Sequence, residues 1–384
     1  MFWEDDVLTE GMLKGRHGLG SVYVFPAVSP GAAFSNHIAT VTVACLGLDS
    51  AVHEVSEVNS AALVSVFCNG RSRSESRMVT VGHSSDSCLT EFGGESAGVA
   101  IVSGMIGLLL ESNPMLSSRD VKHILVMSSR HTGLEASPEF VQNAAGYMYH
   151  PKLGFGYPNA MMMVSIGSNY NSLPPLCKMT LEIARSDLQI RSADMYEQMS
   201  YVDTFCDRTT CIEKMEEVVF EVNFTYSEQH SMKLSVVSPN GTISTLAETK
   251  SVLNPESSRQ RVQANFRINH FWGENSAVRW RIYISCIISK NNEYAYYDCH
   301  IAKGKLIVYG VMQKRQFGHR CQKDPSLVQA VVNKTLNTTI VNNFVITPTT
   351  FHEKTMNNMG VRINVTMFCV VVVVFTHVYN FKML

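Results

Sequence analysis

The rhythm of apolar residues along the chain changes near residue 175. Before it, the runs Ser21–Phe25 and Ile38–Ala44 are strand-like and are broken by Pro26, Pro30 and Gly31. Residues 97–111 are apolar nearly all round a helical wheel, which predicts a buried helix. A second helix is expected to start at Ser117 or Ser118, with Asp120 in its first turn and Val121, Ile124 and Leu125 facing inward. Strands interleaved with buried helices predict an α/β layer structure for residues 1–175.

After that point the period shortens to two. Val218-Val219-Phe220-Glu221-Val222-Asn223-Phe224 and Lys233-Leu234-Ser235-Val236-Val237 alternate as strands do, and Pro239-Asn240-Gly241 is a turn. With no long helical period up to Gly310, residues 176–312 read as a separate all-β sandwich, with Trp272 and Trp280 expected to anchor its core. Residues 313–362 resemble a polar stalk rich in Asn and Thr. Within 363–382, Val365–Phe381 is 17 residues long and mostly apolar, the short limit for a membrane span. Arg362 and Lys382 flank it, so it reads as a candidate single-pass anchor, with a plain hydrophobic tail as the alternative.

A formal charge of -1 with 45% hydrophobic and 17% charged residues describes a packed protein and gives no reason to expect nucleic acid as a partner. Ten cysteines without a C-x-x-C pair argue against a zinc site. Acceptor triplets at Asn223, Asn240, Asn333, Asn337 and Asn364 point to a secretory route, Golgi or cell surface, where cysteines oxidise. Met1–Asp6 lacks the basic and apolar regions of a signal peptide, so a preceding segment is expected.

Gly94-Glu95-Ser96-Ala97-Gly98 fits G-x-S-x-G. A serine at the head of a buried helix has an exposed oxygen, and the helix dipole and backbone N–H can face a developing oxyanion. An esterase elbow would need an apolar strand just before it. Asp86-Ser87-Cys88-Leu89-Thr90-Glu91-Phe92 is too polar for that, and no Gly-rich oxyanion loop lies upstream. A carboxylesterase-like hydrolase is therefore a remote reading.

Other segments carry a different resemblance. Gly94–Ala97 is followed by Leu110-Glu111-Ser112-Asn113-Pro114-Met115-Leu116, then by Arg119-Asp120-Val121-Lys122-His123. Gly15–Phe25 precedes it, and Phe155-Gly156-Tyr157-Pro158-Asn159-Ala160, Ser238-Pro239-Asn240-Gly241-Thr242, Trp272-Gly273-Glu274 and Gly304-Lys305-Leu306 follow. In this order the motifs resemble the kexin/furin-type subtilisin-like proprotein convertases over residues 3–310. The resemblance implies an α/β subtilisin-like domain, truncated at its N-terminus, followed by an all-β sandwich P domain. It implies a calcium-dependent serine endopeptidase that cuts protein precursors after paired basic residues, with Ser96 as nucleophile.

It also implies what is not found. The family's Asp and His stretches should precede residue 1; Asp5-Asp6 and His17-Gly18 mimic them but fall where other family segments align. The oxyanion Asn position holds Ser29, and the proline of the family's G-T-S-A-x-x-P is missing. Glu57 and Asp5 are the residues that could correspond to calcium ligands, against about six oxygens that calcium requires. The chain alone is thus expected to be inactive, and an inactive pseudoprotease with an interacting P domain is the alternative function. Cys177 and Cys206 correspond to the disulfide that opens the P domain, and Cys88 to a cysteine whose partner lies elsewhere.

Non-reducing peptide mapping of secreted chain is expected to recover Cys177 and Cys206 in one bridged species. A bridge closing a loop of about thirty residues stabilises by about 3 kcal/mol. Recovery of both as free thiols would overturn the pairing.

Overall fold

The structure is a computed structural model that describes residues 2–52, 56–69, 78–81, 87–174, 176–183, 188–191, 195–204, 212–227, 231–249, 259–287 and 299–312. Cys206, the acceptors Asn333, Asn337 and Asn364, and the apolar segment Val365–Phe381 lie outside the described residues.

The α/β part opens with α1 (Phe2–Lys14) and a 3-10 turn (Gly15–Gly18). Three strands follow: β1 (Tyr23–Pro26), β2 (Thr40–Gly47) and β3 (Val64–Asn69), all parallel and paired in that order. All eight residues of β2 are buried, as expected for the middle of a parallel sheet covered on both faces. A separate antiparallel ribbon, β4 (Met78–Val81) with β5 (Cys88–Phe92), leads into α2 (Glu95–Ser112). Next come α3 (Ser118–Ser128), the short strands β6 (Ser129–Arg130), β7 (Val141–Gln142), β8 (Met148–Tyr149) and β9 (Tyr157–Pro158), and α4 (Ala160–Gly167). The start of α3 is fixed by a capping box: Asp120 N–H donates to Ser117 Oγ at 3.0 Å, and Ser117 N–H to Asp120 Oδ2 at 2.8 Å.

Helix α2 is not enclosed, contrary to its sequence pattern. Val99, Val102, Ile106 and Leu109 pack onto the sheet and α4, whereas Ala100, Gly104 and Leu108 face solvent beside the exposed Met161. Three strands about 4.8 Å apart make a sheet little wider than one helix, so it covers a single helical face.

The second part holds β10 (Cys177–Glu182), β11 (Leu188–Arg191), β12 (Met195–Thr204), β13 (Lys214–Ser227), β14 (Ser231–Val237), β15 (Ile243–Thr249), β16 (Arg259–Ile268), β17 (Val278–Ile287) and β18 (His300–Val311). They form two antiparallel sheets, β10-β18-β13-β16 and β11-β12-β17-β14-β15. Between the sheets Trp280, Phe220 and Phe271 are fully buried, with Phe271 edge-on to Trp280 at 5.5 Å. Trp272 does not share that core. It lies in the turn after β16, and its side chain leaves the sandwich for the core of the α/β part, 4.7 Å from His123 and 6.1 Å from Phe155.

Trp272 marks a joint between the two parts that is dry and densely bonded. Arg267 of β16 is completely buried in it. Its guanidinium donates to the carbonyls of His37 at 2.7 Å, Ser35 at 3.1 Å and Ala61 at 3.1 Å, to that of Thr40, and to Thr42 Oγ1 at 2.6 Å. Its backbone N–H donates to Asn36 Oδ1 at 3.0 Å, and its carbonyl accepts from Ser60 Oγ at 2.7 Å. Next to it, Glu216 takes a two-pronged bond from Arg119, and Lys122 lies 2.8 Å from Glu217. Consecutive strand residues ordinarily point to opposite faces. Here the β13–β18 register shifts between Met215 and Glu217, so Glu216 is an inserted residue and both carboxylates face the α/β part. Burial pushes the Glu216 carboxyl up, but the Arg119 bond and charge, with His123 at 3.3 Å, outweigh it and hold the pKa at about 2. Burial lowers Lys122 to about 8, partly opposed by Glu217, so it stays a cation at neutral pH.

Arg267→Ala removes a charged donor from four carbonyls, opens a buried gap at the joint and takes a cation from Glu217. It is expected to cost about 3–5 kcal/mol, read from urea unfolding of the intact chain, with Arg267→Lys costing less. A loss below about 1 kcal/mol for the alanine variant would show that the joint does not depend on this side chain.

Candidate active site at the head of helix α2

Gly94 sets up the site. Its φ of 87° and ψ of 177° belong to a region open essentially to glycine, and its N–H donates to Cys68 O at 2.9 Å, tying the helix start to the carboxyl end of β3. Gly98 lets α2 settle on the sheet, since a Cβ there would sit 3.2 Å from Val66 and 3.5 Å from Cys68. Ala97 and Gly98 are thereby buried, while Ser96 in the same first turn is exposed, its hydroxyl without a hydrogen-bond partner among the described residues. The hydroxyl sits over the carboxyl edge of a parallel sheet, where open α/β folds bind ligands. Ser29 shares that edge: it follows the end of β1 and is exposed.

The other sequence candidates lie elsewhere. Arg16 donates to the carbonyls of Pro114 and Leu116, both beyond the C-terminus of α2. His17 therefore stands at the far end of an 18-residue helix, about 25 Å from Ser96. Asp5 belongs to α1, which precedes that same end; its side chain is outside the described residues. The remaining imidazoles among the described residues have other partners: His37 with Thr9, His123 with Glu216, His131 with Phe140, His150 with Lys152, His270 with Ser244 and His300 with Thr225. Glu57 is exposed, and among the described residues no three His, Cys, Asp or Glu side chains gather to hold a metal. The residues described do not fit a calcium site.

The strand before the Ser96 turn is β5, which among the described residues pairs with β4 and not with the parallel sheet. A nucleophile elbow requires that strand to belong to the central sheet, so the carboxylesterase-like reading finds no support among the described residues.

Residues 19–156 match the Subtilase family, and residues 215–296 match the Proprotein convertase P-domain. The chain joins a subtilase region to a proprotein convertase P-domain. It is 27% identical to Endoprotease aex-5 of Caenorhabditis elegans across 73% of this chain and 49% of that protein. It is 29% identical to PC3-like endoprotease variant B of Hydra vulgaris across 72% and 40%, and 25% identical to Furin of Rattus norvegicus across 80% and 38%. The chain thus spans half or less of the length of these relatives. The solved serine protease of Aeromonas sobria, in complex with its chaperone, shares the fold at a TM-score of 0.63 and 17% identity, over 81% of this chain and 67% of that one.

Two cysteine pairs were not assigned from the sequence. Cys45 and Cys68 meet across β2 and β3 with their Cα atoms 5.6 Å apart, and Cys286 and Cys299 are bridged at 6.3 Å. The buried Cys177 opens β10, and Cys88 is exposed on β5.

Ser96→Ala removes an exposed hydroxyl that bonds no described residue and improves helix propensity. It is expected to leave stability within about 0.5 kcal/mol of the parent, by thermal unfolding. A loss above about 1 kcal/mol would show that Ser96 has a structural role.

Proposed function

We propose that the chain is the serine-bearing portion of a secretory-pathway serine endopeptidase that processes protein precursors after paired basic residues. Ser96 is the nucleophile. The observation that carries this reading is its position: an exposed serine heads the sheet-packed helix of a subtilase region, and that region is joined to a proprotein convertase P-domain. A serine hydroxyl is a weak nucleophile until an imidazole takes its proton and a carboxylate orients that imidazole. None of the described histidines engages Ser96. The chain alone is therefore proposed to be inactive, acting only with an Asp and a His brought to this sheet edge.

Calcium dependence is an expectation of the family; the described residues around Glu57 do not gather a ligand set for the ion, and no step depends on it. A secretory location is supported by the exposed acceptors Asn223 on β13 and Asn240 in the turn before β15. A single-pass anchor at Val365–Phe381 would tether the P-domain to a membrane.

Ser29 favours a second reading, a pseudoprotease whose P-domain is an interaction module. It stands where the resemblance expects an oxyanion Asn, and loss of one such donor costs about 10²–10³ in rate.

Purified chain is expected to give no cleavage of peptides carrying Arg-Arg or Lys-Arg before the scissile bond. Turnover that disappears in Ser96→Ala would overturn the inactivity. Sequencing the 5′ end of the transcript separates the two readings: in-frame D-D-G and H-G-T stretches support the endopeptidase, and their absence supports the pseudoprotease.

A further inference from the structure

The joint contains a second cluster, built on imidazoles. From the subtilase region, β8 and the residue after it bring Tyr149 and His150; from the P-domain, the turn after β16 brings His270. Tyr149 stacks on His270 at 4.4 Å, and its hydroxyl donates to Ile243 O at 2.8 Å. Asn143 Nδ2 donates to the carbonyls of His270 and Trp272 at 2.9 Å each, pinning the turn across the joint. Both imidazoles are inaccessible, 0% exposed for His150 and 1% for His270. Each is bonded through Nδ1, His150 accepting from Lys152 N–H at 3.0 Å and His270 sharing a bond with Ser244 Oγ at 2.8 Å. Each Nε2 is buried without a hydrogen-bond partner.

We propose that His150 and His270 form a proton-operated latch, so that their protonation in mildly acidic solution loosens the P-domain from the subtilase region. A docked imidazolium here would be a desolvated cation, and at His150 the added proton would sit on Nδ1, facing the Lys152 N–H that the neutral ring accepts. The charged groups that face the pair do not rescue it. Glu139 lies 3.7 Å from His150 Nε2, but it is 64% exposed and water screens it, while Lys152 on the same loop repels a cation. His270 faces Tyr149, Ser244 and His150 itself, whose charge would repel its own. Glu274, near Tyr149, is committed to Ser238, Thr242 and the N–H of Ala144.

The electrostatics agree with the geometry. Burial first, then Lys152, lowers His150 to about 4; burial, then His150, lowers His270 to about 3. Both docked values lie below the ordinary 6.5, so the separated parts bind protons first, and docking is lost progressively as pH falls from about 6.5 toward 4. The neighbouring carboxylate Glu216 titrates at about 2 and stays charged throughout that window. Acid therefore reaches the imidazole pair before the Arg119–Glu216 bond.

Limited proteolysis of the intact chain, with Trp272 emission as a second reading of the joint, tests the latch. Between pH 7.5 and 5 the opening constant should rise about 30-fold for each imidazole. The double variant His150→Asn, His270→Asn keeps an acceptor near each Nδ1 position and cannot take a proton, so its cleavage rate should lack this rise; it also corrects for the protease's own pH dependence. An equal rise in parent and variant would overturn the proposal. Should the variant not fold, imidazole NMR titration of the parent decides. Resonances that stay neutral to below pH 5 while Trp272 is buried support the latch, and titration near 6.5 with Trp272 still buried overturns it.

Discussion

A parallel sheet cannot be closed by tight turns; each crossover must carry the chain back along the sheet, and a helix usually does so because it satisfies its own backbone. The crossover between β1 and β2, residues 27–39, contains no helix. Its carbonyls at Ser35 and His37, with that of Thr40 at the start of β2, face inward and need donors in a place water does not reach. The Thr42 and Thr40 hydroxyls of β2 satisfy part of that need, and Arg267 adds charged donors to all three carbonyls from the P-domain. A guanidinium suits this task because it spreads several N–H groups in a fixed fork and is more weakly hydrated than an ammonium. Burial still lowers its pKa, and Glu217 at 3.4 Å offsets part of that cost. The interior of the subtilase region is completed by a residue of its neighbour, so the two parts are separate in topology without being independent in energy.

This dependence explains which features could be read from the sequence. The head of α2, the capped start of α3 and the strands of the sandwich follow from local pattern, because the periods of helix and strand and the chemistry of caps act within a few residues. Arg267 was not legible. It alternates with Phe266 and Ile268, so strand periodicity places it on the polar outer face of the sandwich, where an arginine ordinarily meets water. What covers that face is a loop more than 220 residues earlier in the chain. Trp272 escaped for the same reason, since periodicity says a large aromatic is buried but not in which core. The Glu216–Glu217 pair needed knowledge of a bulge, and a bulge is a property of two strands together.

For the candidate site, position was legible and completeness was not. Gly94 and Gly98 announce a sharp helix start lying close to a sheet, and Ser96 between them must then be exposed. Whether a hydroxyl there can react depends on groups from remote segments. The sequence offered His17 and Asp5-Asp6 by similarity of letters. The fold sends that end of the chain to the opposite pole of α2, because parallel strands put every N-terminal approach on one side and every carboxyl end on the other.

The joint and the candidate site are also mechanically connected. Ser29 belongs to the same crossover that Arg267 holds, and the segment is fixed again where Asn59 Nδ2 donates to Val28 O at 2.6 Å and where Gly31 lies against Phe266 and Ala264 of the P-domain. At Gly31 the φ of 74° admits glycine at little cost, and a Cβ would approach Phe266 to 3.2 Å. The loop carrying Ser29, proposed above to stand at the oxyanion-donor position, is therefore built partly from P-domain contacts. Oxyanion stabilisation depends on donors fixed before reaction to within a fraction of an ångström. A displaced P-domain would release this loop even with every residue near Ser96 unchanged. The P-domain thus acts on the edge that carries Ser96 without touching it, through the backbone it holds in place.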